Sequence, residues 1–448
     1  MKTTSIILAA GQGTRMKSDL PKVLHPVCGK PMIWHALQAA KNVTDGKPVV
    51  VIGYGAEDVR EAVGDAARFV IQNEQLGTGH AVQQAESTLK EDTDLVLVSS
   101  ADMPLLTSDT FKEMIRLQKE NDGPMTMLTI ISDDSHGFGR VLRKEDGSVH
   151  AIVEEAQATK EELALKELNV GAYCFDAEWL WDALKRIPLS PKGEYYLTDT
   201  VGLAVEAGMP VQALTVEDHA EAVGVNTRIH LSEAEASMRL RVNRRHMLSG
   251  VTIIDPQSTY IGMDVKIGRD TVIWPGTYLQ GETSIGERCE LGPNTIIRDT
   301  KVGNGCEILS SVMEGALLED DVDMGPFARL RKGAHLAKGV HMGNFGEVKD
   351  SYLGPGAKAG HFSYIGNATI GAGTNVGAGT ITCNYDGKNK YPTEIGENVF
   401  IGSDTMLVAP LKIGDRARTG AGSVVTKNVK EDTLVVGMPA RAIRNLKK

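Results

Sequence analysis

The chain has 448 residues, 42% of them hydrophobic and 24% charged, with 48 Lys and Arg against 58 Asp and Glu. Such a length fits two to three domains, and the apolar share is enough to bury real cores, which excludes disorder as the main state. A net charge of −10 argues against a general binder of nucleic acid or of anionic membranes, and no apolar run approaches the roughly 18 residues of a membrane-spanning helix.

The start, MKTTSIILAAGQG, imitates a signal peptide only briefly, because its apolar core from Ile6 to Ala10 is shorter than the roughly 7–15 residues such a segment needs. Ser5 to Ala10 reads instead as a buried strand that ends in glycines. Val49 to Gly53 and Leu95 to Ser99 repeat the pattern, with helix-like stretches at Ile33 to Lys41, Ala56 to Val63 and Ser108 to Glu120. Continuous apolar strands alternating with helices predict a Rossmann-like α/β domain, its mostly parallel sheet covered on both faces. Ligands then sit beyond the C-terminal ends of the strands. Five cysteines (Cys28, Cys174, Cys289, Cys306, Cys383) are far apart and lack metal spacing, so they read as reduced thiols of a cytoplasmic protein.

The first strand runs into Leu8-Ala9-Ala10-Gly11-Gln12-Gly13-Thr14-Arg15-Met16, followed by Pro21-Lys22. Small residues let backbone N–H groups approach an anion or a base edge, and Arg15 and Lys22 carry charge that offsets phosphate. The string has neither the G-x-G-x-x-G of a dinucleotide site nor the Gly-Lys-Ser/Thr of a Walker loop. As a whole it resembles the L-A-A-G-x-G-T-R-M…P-K signature of the sugar-1-phosphate nucleotidylyltransferases. The resemblance implies nucleotide contacts from Leu8, Ala9, Ala10, Gly11 and Lys22, with Lys22 and Arg15 as catalytic cations. Gln72 to His80, reading QNEQLGTGH, is similar to the segment by which the uridylyl-transferring branch reads uracil and ribose, which assigns Gln72, Gly77 and Thr78.

Asp102 follows the strand Leu95 to Ser99. A lone aspartate there would be a turn or a helix cap, but the family's metal aspartate holds this place, with glycine before it where this chain has Ala101. Asn226, in Gly224-Val225-Asn226, matches the second protein ligand, and the implied ion is Mg²⁺. Gly139, Glu154 and Asn169 match the remaining sugar-nucleotide positions. Val170 stands where the family commonly has threonine, and that role is unfilled.

Composition changes near residue 250: residues 1–249 hold 18 glycines and residues 250–448 hold 30, which predicts a domain boundary. Residues 227–250 read as a charged, solvated linker helix. From Ile261 the chain cuts into sixes, IGMDVK, IGRDTV, IWPGTY, LQGETS, IGERCE and LGPNTI. An aliphatic residue recurs at position one, often glycine at two, and a small or β-branched residue at five. This period predicts a parallel β-helix of about ten coils, with the aliphatic residue inward and the glycine permitting a tight corner. The repeat resembles the left-handed hexapeptide acyltransferases, and the handedness comes from that resemblance.

Thr382 to Glu394 (TCNYDGKNKYPTE) breaks the sixes and must project as a loop, a favoured place for a site on a rigid scaffold. His361 falls at the third, outward position of its six. By itself it would be a solvated side chain, but the histidine of A-G-H-x-x-Y is the family's base, and an ordinary imidazole pKa of about 6.5 suits that task. The resemblance further implies Arg331 and Lys349 as a phosphate-holding pair, with Tyr364 and Asn375 as sugar contacts. It assigns Ala378, Asn384, Tyr385, Ser403 and Ala421 to acetyl-CoA, and Arg441 to the phosphate of CoA.

Nearly the whole chain is similar to the bacterial family of bifunctional N-acetylglucosamine-1-phosphate uridyltransferases and glucosamine-1-phosphate acetyltransferases. That implies a uridylyltransferase domain over 1–228, a helical linker over 229–249 and an acetyltransferase β-helix over 250–448. Acetyl-CoA and UTP would be co-substrates, the product UDP-N-acetylglucosamine, and the assembly a homotrimer built through the β-helix, with no nucleic-acid partner and no membrane insertion. Two rival readings are an adenylyltransferase whose β-helix only assembles or regulates, and a non-catalytic assembly protein. His361 with Asn384-Tyr385 speaks against the first, and intact Lys22, Asp102 and Asn226 against the second.

Overall fold

The computed structural model describes residues 1–135 and 137–445, which divide into two compact units, Met1–Met238 and Arg239–Lys448. The sheet of the first unit runs in the order Val211–Val216, Met125–Ile131, Glu167–Asp176, Leu95–Ser100, Thr3–Ala9, Val49–Ile52, Arg68–Ile71. Neighbours are parallel, except that Glu167–Asp176 runs antiparallel to the strand on either side. The central strands are apolar on both faces because each face is covered. Ile7, Val50 and Leu97 pack with Ile33, Leu37 and Met114 of the helices Met32–Lys41 and Ser108–Glu120, while Ile6, Val51 and Val98 pack with Val82 and Leu180. The antiparallel strand carries a register shift between Asn169 and Tyr173, and a hairpin of Arg140–Arg143 and Val149–Val153 pairs beside it.

The second unit is a three-sided β-helix whose faces hold 12, 10 and 9 strands among the described residues, parallel throughout except that Ala440–Asn445 runs antiparallel to Thr433–Gly437. Each coil contributes one short strand to each face, as in the column Lys266, Ser284, Lys301, Leu317 and His335. The residues that follow them, Ile285, Val302, Leu318 and Leu336, are buried in the axis. The glycine at position two has a different purpose from the predicted corner. A Cβ on Gly268, Gly286 or Gly303 would lie 2.6, 2.4 and 2.6 Å from the backbone of the next coil. The left-handed residue comes two positions later, at Asp270 (φ 61°), Arg288 (φ 55°) and Gly305 (φ 65°). At these three coils position two is glycine because the next coil approaches too closely for a side chain there, and Asp, Asn, Arg or Gly serves at the corner itself.

A helix spans Arg228–Leu248, and the boundary between the units falls within it. In its first half Glu235 accepts a hydrogen bond from the Cys28 N–H at 2.6 Å; in its second half Asn243 Nδ2 donates to the Pro256 and Thr259 carbonyls at 2.8 and 2.9 Å. No helix among the described residues is long and apolar enough to cross a membrane, and the five cysteines form no disulfide.

Candidate active sites

The C-terminal ends of Thr3–Ala9 and Leu95–Ser100 open into a cleft of about 560 Å³. Its walls contain all the residues the sequence placed in the first unit's site: Leu8, Ala9, Ala10, Gly11, Arg15, Lys22, Gln72, Gly77, Thr78, Asp102, Gly139, Glu154, Asn169 and Asn226. Nothing lies within 4 Å of where a Gly11 Cβ would stand. The glycine is not demanded by packing, and it leaves the floor of the cleft open.

At one end the polar groups converge. The Lys22 ammonium bonds the Asp102 carboxylate and reaches Asn226 Oδ1 at 3.2 Å, and Arg15 Nη2 donates to the same amide oxygen at 2.9 Å. The Val225 N–H bonds the Asp102 carbonyl at 2.9 Å, which draws the two distant segments together. Burial alone would raise the Asp102 carboxyl, but the Lys22 charge, its hydrogen bond and one from Ser100 overrule it and hold the carboxyl below the usual carboxylate range. Two oxygen ligands thus face one cation, a donor set that suits a hard divalent ion. Among the described residues no three His, Cys, Asp or Glu side chains cluster, so such an ion would depend on substrate oxygens for the rest of its shell.

The other end is shaped by backbone. Gly77 has φ 99°, and a Cβ there would lie 2.5 Å from the Tyr195 carbonyl oxygen, so only glycine fits. Thr78 Oγ1 accepts from the Leu197 N–H at 3.0 Å, and Glu154 Oε1 accepts from the Thr198 hydroxyl at 3.0 Å. Asn169 sits at the register shift. It donates to Tyr173 Oη at 2.7 Å and accepts from the Gly171 N–H at 3.2 Å. Burial pushes the Tyr173 hydroxyl well above its ordinary pKa, so it stays protonated.

In the β-helix the predicted residues gather on two edges. Lys358, Asn375, Phe400 and Arg418 stack on one face, and Glu347, Tyr364 and Ile381 on the next. His361 is exposed at the edge between these faces. Ladder register places Ala378, Ser403 and Ala421 on the same edge in successive coils, where Asp404 and Gly422 donate to the Ala378 and Ser403 carbonyls at 2.6 and 2.8 Å. From Ala378 to Ala421 two strand spacings make a track of roughly 10 Å. Arg441 pairs with Val436, which packs over Gly420 at its far end.

The second edge is cationic. The Arg331 N–H bonds the Val348 carbonyl at 2.9 Å, which sets Arg331 beside Lys349, and Lys349 pairs in register with Gly366. Glu347 accepts from Arg331 at 3.0 Å, and Asp350 lies 3.6 Å from the Lys349 ammonium. A Cβ on Gly366 would stand 2.5 Å from Tyr364 Oη and 2.8 Å from Asn384 Nδ2, so glycine here lets both side chains lie over the strand. Asn384 is tied to Asn367 Oδ1 at 2.7 Å, and the exposed Tyr385 bonds the Gly387 carbonyl at 2.6 Å. Asn375 is on a different face from Arg331, Lys349 and Tyr364.

Comparison with known proteins agrees with both halves. Residues 5–161 match the MobA-like NTP transferase domain, and residues 264–299 and 392–427 match the bacterial transferase hexapeptide repeat. The bifunctional protein GlmU of Streptococcus agalactiae serotype V is 48% identical over 438 residues, covering 98% of this chain and 95% of that protein. Its counterparts from an Exiguobacterium species and from Heliobacterium modesticaldum are 46% and 47% identical, covering 97% of this chain and 97% and 95% of those proteins. The chain belongs to the bifunctional GlmU family.

GlmU membership makes the chain an enzyme with two activities, uridylyl transfer in the nucleotidyltransferase unit and acetyl transfer in the left-handed hexapeptide β-helix. A β-helix that only assembles, or a wholly non-catalytic protein, is thereby set aside. The GlmU fold also brings in groups the sequence reading passed over. Lys390, from the projecting loop, lies against Lys349 and near Arg331, and the Lys349 contact, then its charge, pushes the Lys390 ammonium pKa down. Glu194, Tyr196, Leu197 and Thr198 line the nucleotide cleft. Arg228 donates to the Met16 carbonyl at 3.3 Å and lies 3.1 Å from His25 Nδ1, pinning the signature loop from behind. Burial, then the Arg228 charge, lowers the His25 pKa. The usable signals were a lysine inside a loop already flagged as functional and the double tyrosine of Glu194-Tyr195-Tyr196.

Proposed function

We propose that the two edges of the β-helix hold acetyl-CoA and glucosamine-1-phosphate, and that the cleft of the first unit joins N-acetylglucosamine-1-phosphate to UTP. His361 takes a proton from the amine of glucosamine-1-phosphate, and the freed lone pair attacks the thioester carbonyl carbon of acetyl-CoA. The C–S bond breaks and CoA leaves as the thiolate. Arg331, Lys349 and Lys390 offset the sugar's phosphate charge, and Tyr364 and Asn384 border the sugar. The track from Ala378 through Ser403 to Ala421, with Tyr385 and Arg441 beside it, takes the CoA arm. Asn375 lies on another face, so it would join this site only from a second copy, which suits a homotrimer whose acetyl-transfer sites lie between copies.

In the cleft, a phosphate oxygen of N-acetylglucosamine-1-phosphate attacks the α-phosphorus of UTP and pyrophosphate leaves. Gln72, Gly77 and Thr78 hold the uridine, while Gly139, Glu154 and Asn169 hold the acceptor sugar. Lys22 and Arg15 offset charge on the triphosphate. Mg²⁺, held by Asp102 and Asn226, would add further charge compensation when bound. The observation that carries this reading is the convergence of Lys22, Arg15, Asp102 and Asn226 at one end of a single cleft.

The reading divides the chain at about 228 and 250, places it in the cytoplasm, and makes its product a precursor of peptidoglycan and lipopolysaccharide. One assay tests it: purified protein with glucosamine-1-phosphate, acetyl-CoA, UTP and Mg²⁺, followed for CoA and for pyrophosphate separately. Both must appear, and pyrophosphate must require the acetylated sugar. Pyrophosphate formed equally well from unacetylated sugar would refute the order of steps.

A further inference from the structure

The loop that carries Arg15 and Lys22 starts at Ala10 and ends at Pro21-Lys22, and a second segment holds both of its ends. That segment is the turn Gly53-Tyr54-Gly55, between the strand Val49–Ile52 and the helix Ala56–Val63. At the start of the loop, the Tyr54 N–H donates to the Ala10 carbonyl at 3.1 Å. A Cβ on Gly53 would lie 2.9 Å from that same oxygen and 3.0 Å from the Ala10 Cβ. At its end, Pro21 is buried against Gly55 (φ 63°), where a Cβ would overlap Pro21 Cγ and lie 3.2 Å from Pro21 Cβ. A proline ring is closed onto its own backbone, so it cannot swing aside as the tip of a long side chain would. Between the two ends, Gly11 to Leu20 are exposed or half-buried, except for Met16. The Lys22 side chain is seated in a similar way, on Gly13 (φ 63°). A Cβ there would lie 2.6, 3.2 and 3.3 Å from Lys22 Cβ, Cδ and Cγ. The stem passes beside that glycine, and the ammonium at its end meets Asp102 and Asn226.

We propose that Gly55 is a positioning residue for uridylyl transfer: having no side chain, it admits the Pro21 ring, and through Pro21 it sets where the Lys22 ammonium enters the cleft. The proposal rests on the reading of Lys22 as a cation that offsets charge on the triphosphate. Gly55 does not line the cleft and touches no substrate in this scheme. A side chain at 55 would push Pro21 away from the turn. Lys22 is joined to Pro21 through one planar peptide unit, so it would move with it. Charge compensation in the transition state depends on groups fixed in place beforehand, and a displacement on the order of 1 Å is enough to slow the reaction.

The test is kcat for pyrophosphate release from UTP and N-acetylglucosamine-1-phosphate by the full-length enzyme. Asparagine tolerates a left-handed backbone but carries a Cβ, so Gly55→Asn adds the collision with little backbone strain. It should lower kcat about ten- to hundredfold, as expected of a displaced catalytic group. Gly46→Asn puts the same residue at another left-handed glycine (φ 74°), with nothing within 4 Å of its Cβ position, and should keep the wild-type rate. In a Lys22→Ala background, Gly55→Asn should lower kcat by no more than about a further twofold, because its effect passes through the lysine. A merely structural fault would lower the rate by the same factor in both backgrounds, and that result overturns the proposal. A wild-type rate in Gly55→Asn, or an equal loss in Gly46→Asn, overturns it too. Gly55→Ala makes the same comparison if the asparagine chain does not fold. Wild-type pyrophosphate release in Lys22→Ala overturns instead the reading of Lys22 on which the proposal rests.

Discussion

Single side chains in this molecule are separable by chemistry. Asp102 carries the carboxylate bonded to Lys22 in the cleft, and Asn226 reaches the same ammonium. Asp102→Asn removes that charge while keeping the shape. It should lower pyrophosphate release on the order of 10²-fold and leave CoA release near normal, because the acetyl-transfer residues belong to the other unit. Equal loss of both activities in a folded variant would refute the separation. His361 is exposed, so His361→Ala should change stability by no more than about 0.5 kcal/mol. Without a base the amine stays protonated and lacks a lone pair, so acetyl-transfer turnover should fall roughly 10²–10⁴-fold with uridylyl transfer untouched. A variant retaining more than about a tenth of CoA release at saturating substrates would leave that step without a base.

Among the elements, the helix Arg228–Leu248 carries a pH-sensitive group. His246 is 7% exposed and its Nε2 has no hydrogen-bond partner among the described residues; burial first, then the Arg245 charge, push its pKa from 6.5 down to about 4. The folded chain therefore holds the ring neutral where the unfolded chain has already bound a proton. Its contribution is fully present above about pH 6.5 and is lost as the pH falls toward about 4, by about 3 kcal/mol over the window. Denaturation midpoints of the wild type and of His246→Leu, measured at pH 7 and pH 4.5, should show the smaller acid loss in the variant. Equal losses would remove His246 from the acid response. The β-helix elements follow another logic: their glycines answer to the backbone of the next coil, which is why the six-residue period was plain in the sequence while the reason for its second position was not.

For the whole molecule, the expectation is a trimer built by the β-helix. Its coils bury their aliphatic residues within one chain and leave flat outer faces. Side chains such as Phe327 and Phe345, each 61% exposed with rings stacked at 5.5 Å, remain uncovered in a single copy. Light scattering should report a trimer for the full chain and a monomer for residues 1–238, and that fragment should still transfer uridylyl groups. The end point matters: Glu235 accepts from the Cys28 N–H, so a 1–229 fragment lacks a charged hydrogen-bond acceptor and should be less stable by about 1–3 kcal/mol in denaturant titrations. A trimeric 1–238 fragment would move the interface into the first unit.

Contiguous strings were enough to reveal much of this protein. The loop from Leu8 to Met16, the segment from Gln72 to His80 and the sixes after Ile261 each place their chemistry on neighbouring residues, where local backbone geometry dictates residue type. By themselves they determined the two-part organisation, the fold of each part and most of the candidate ligands. The tertiary structure decided what depends on distant segments meeting. The Val225 N–H on the Asp102 carbonyl brings Asn226 to Lys22, the loop after Thr382 carries Lys390 to Lys349, and Tyr195 crowds Gly77. None of these has a period or a spacing in the chain, because a hydrogen bond or a close approach between segments far apart in sequence leaves no mark on either partner's neighbours. The orientation of Gln72 belongs to the same class, since an amide reads alike from both ends until the Gly77 carbonyl takes its nitrogen.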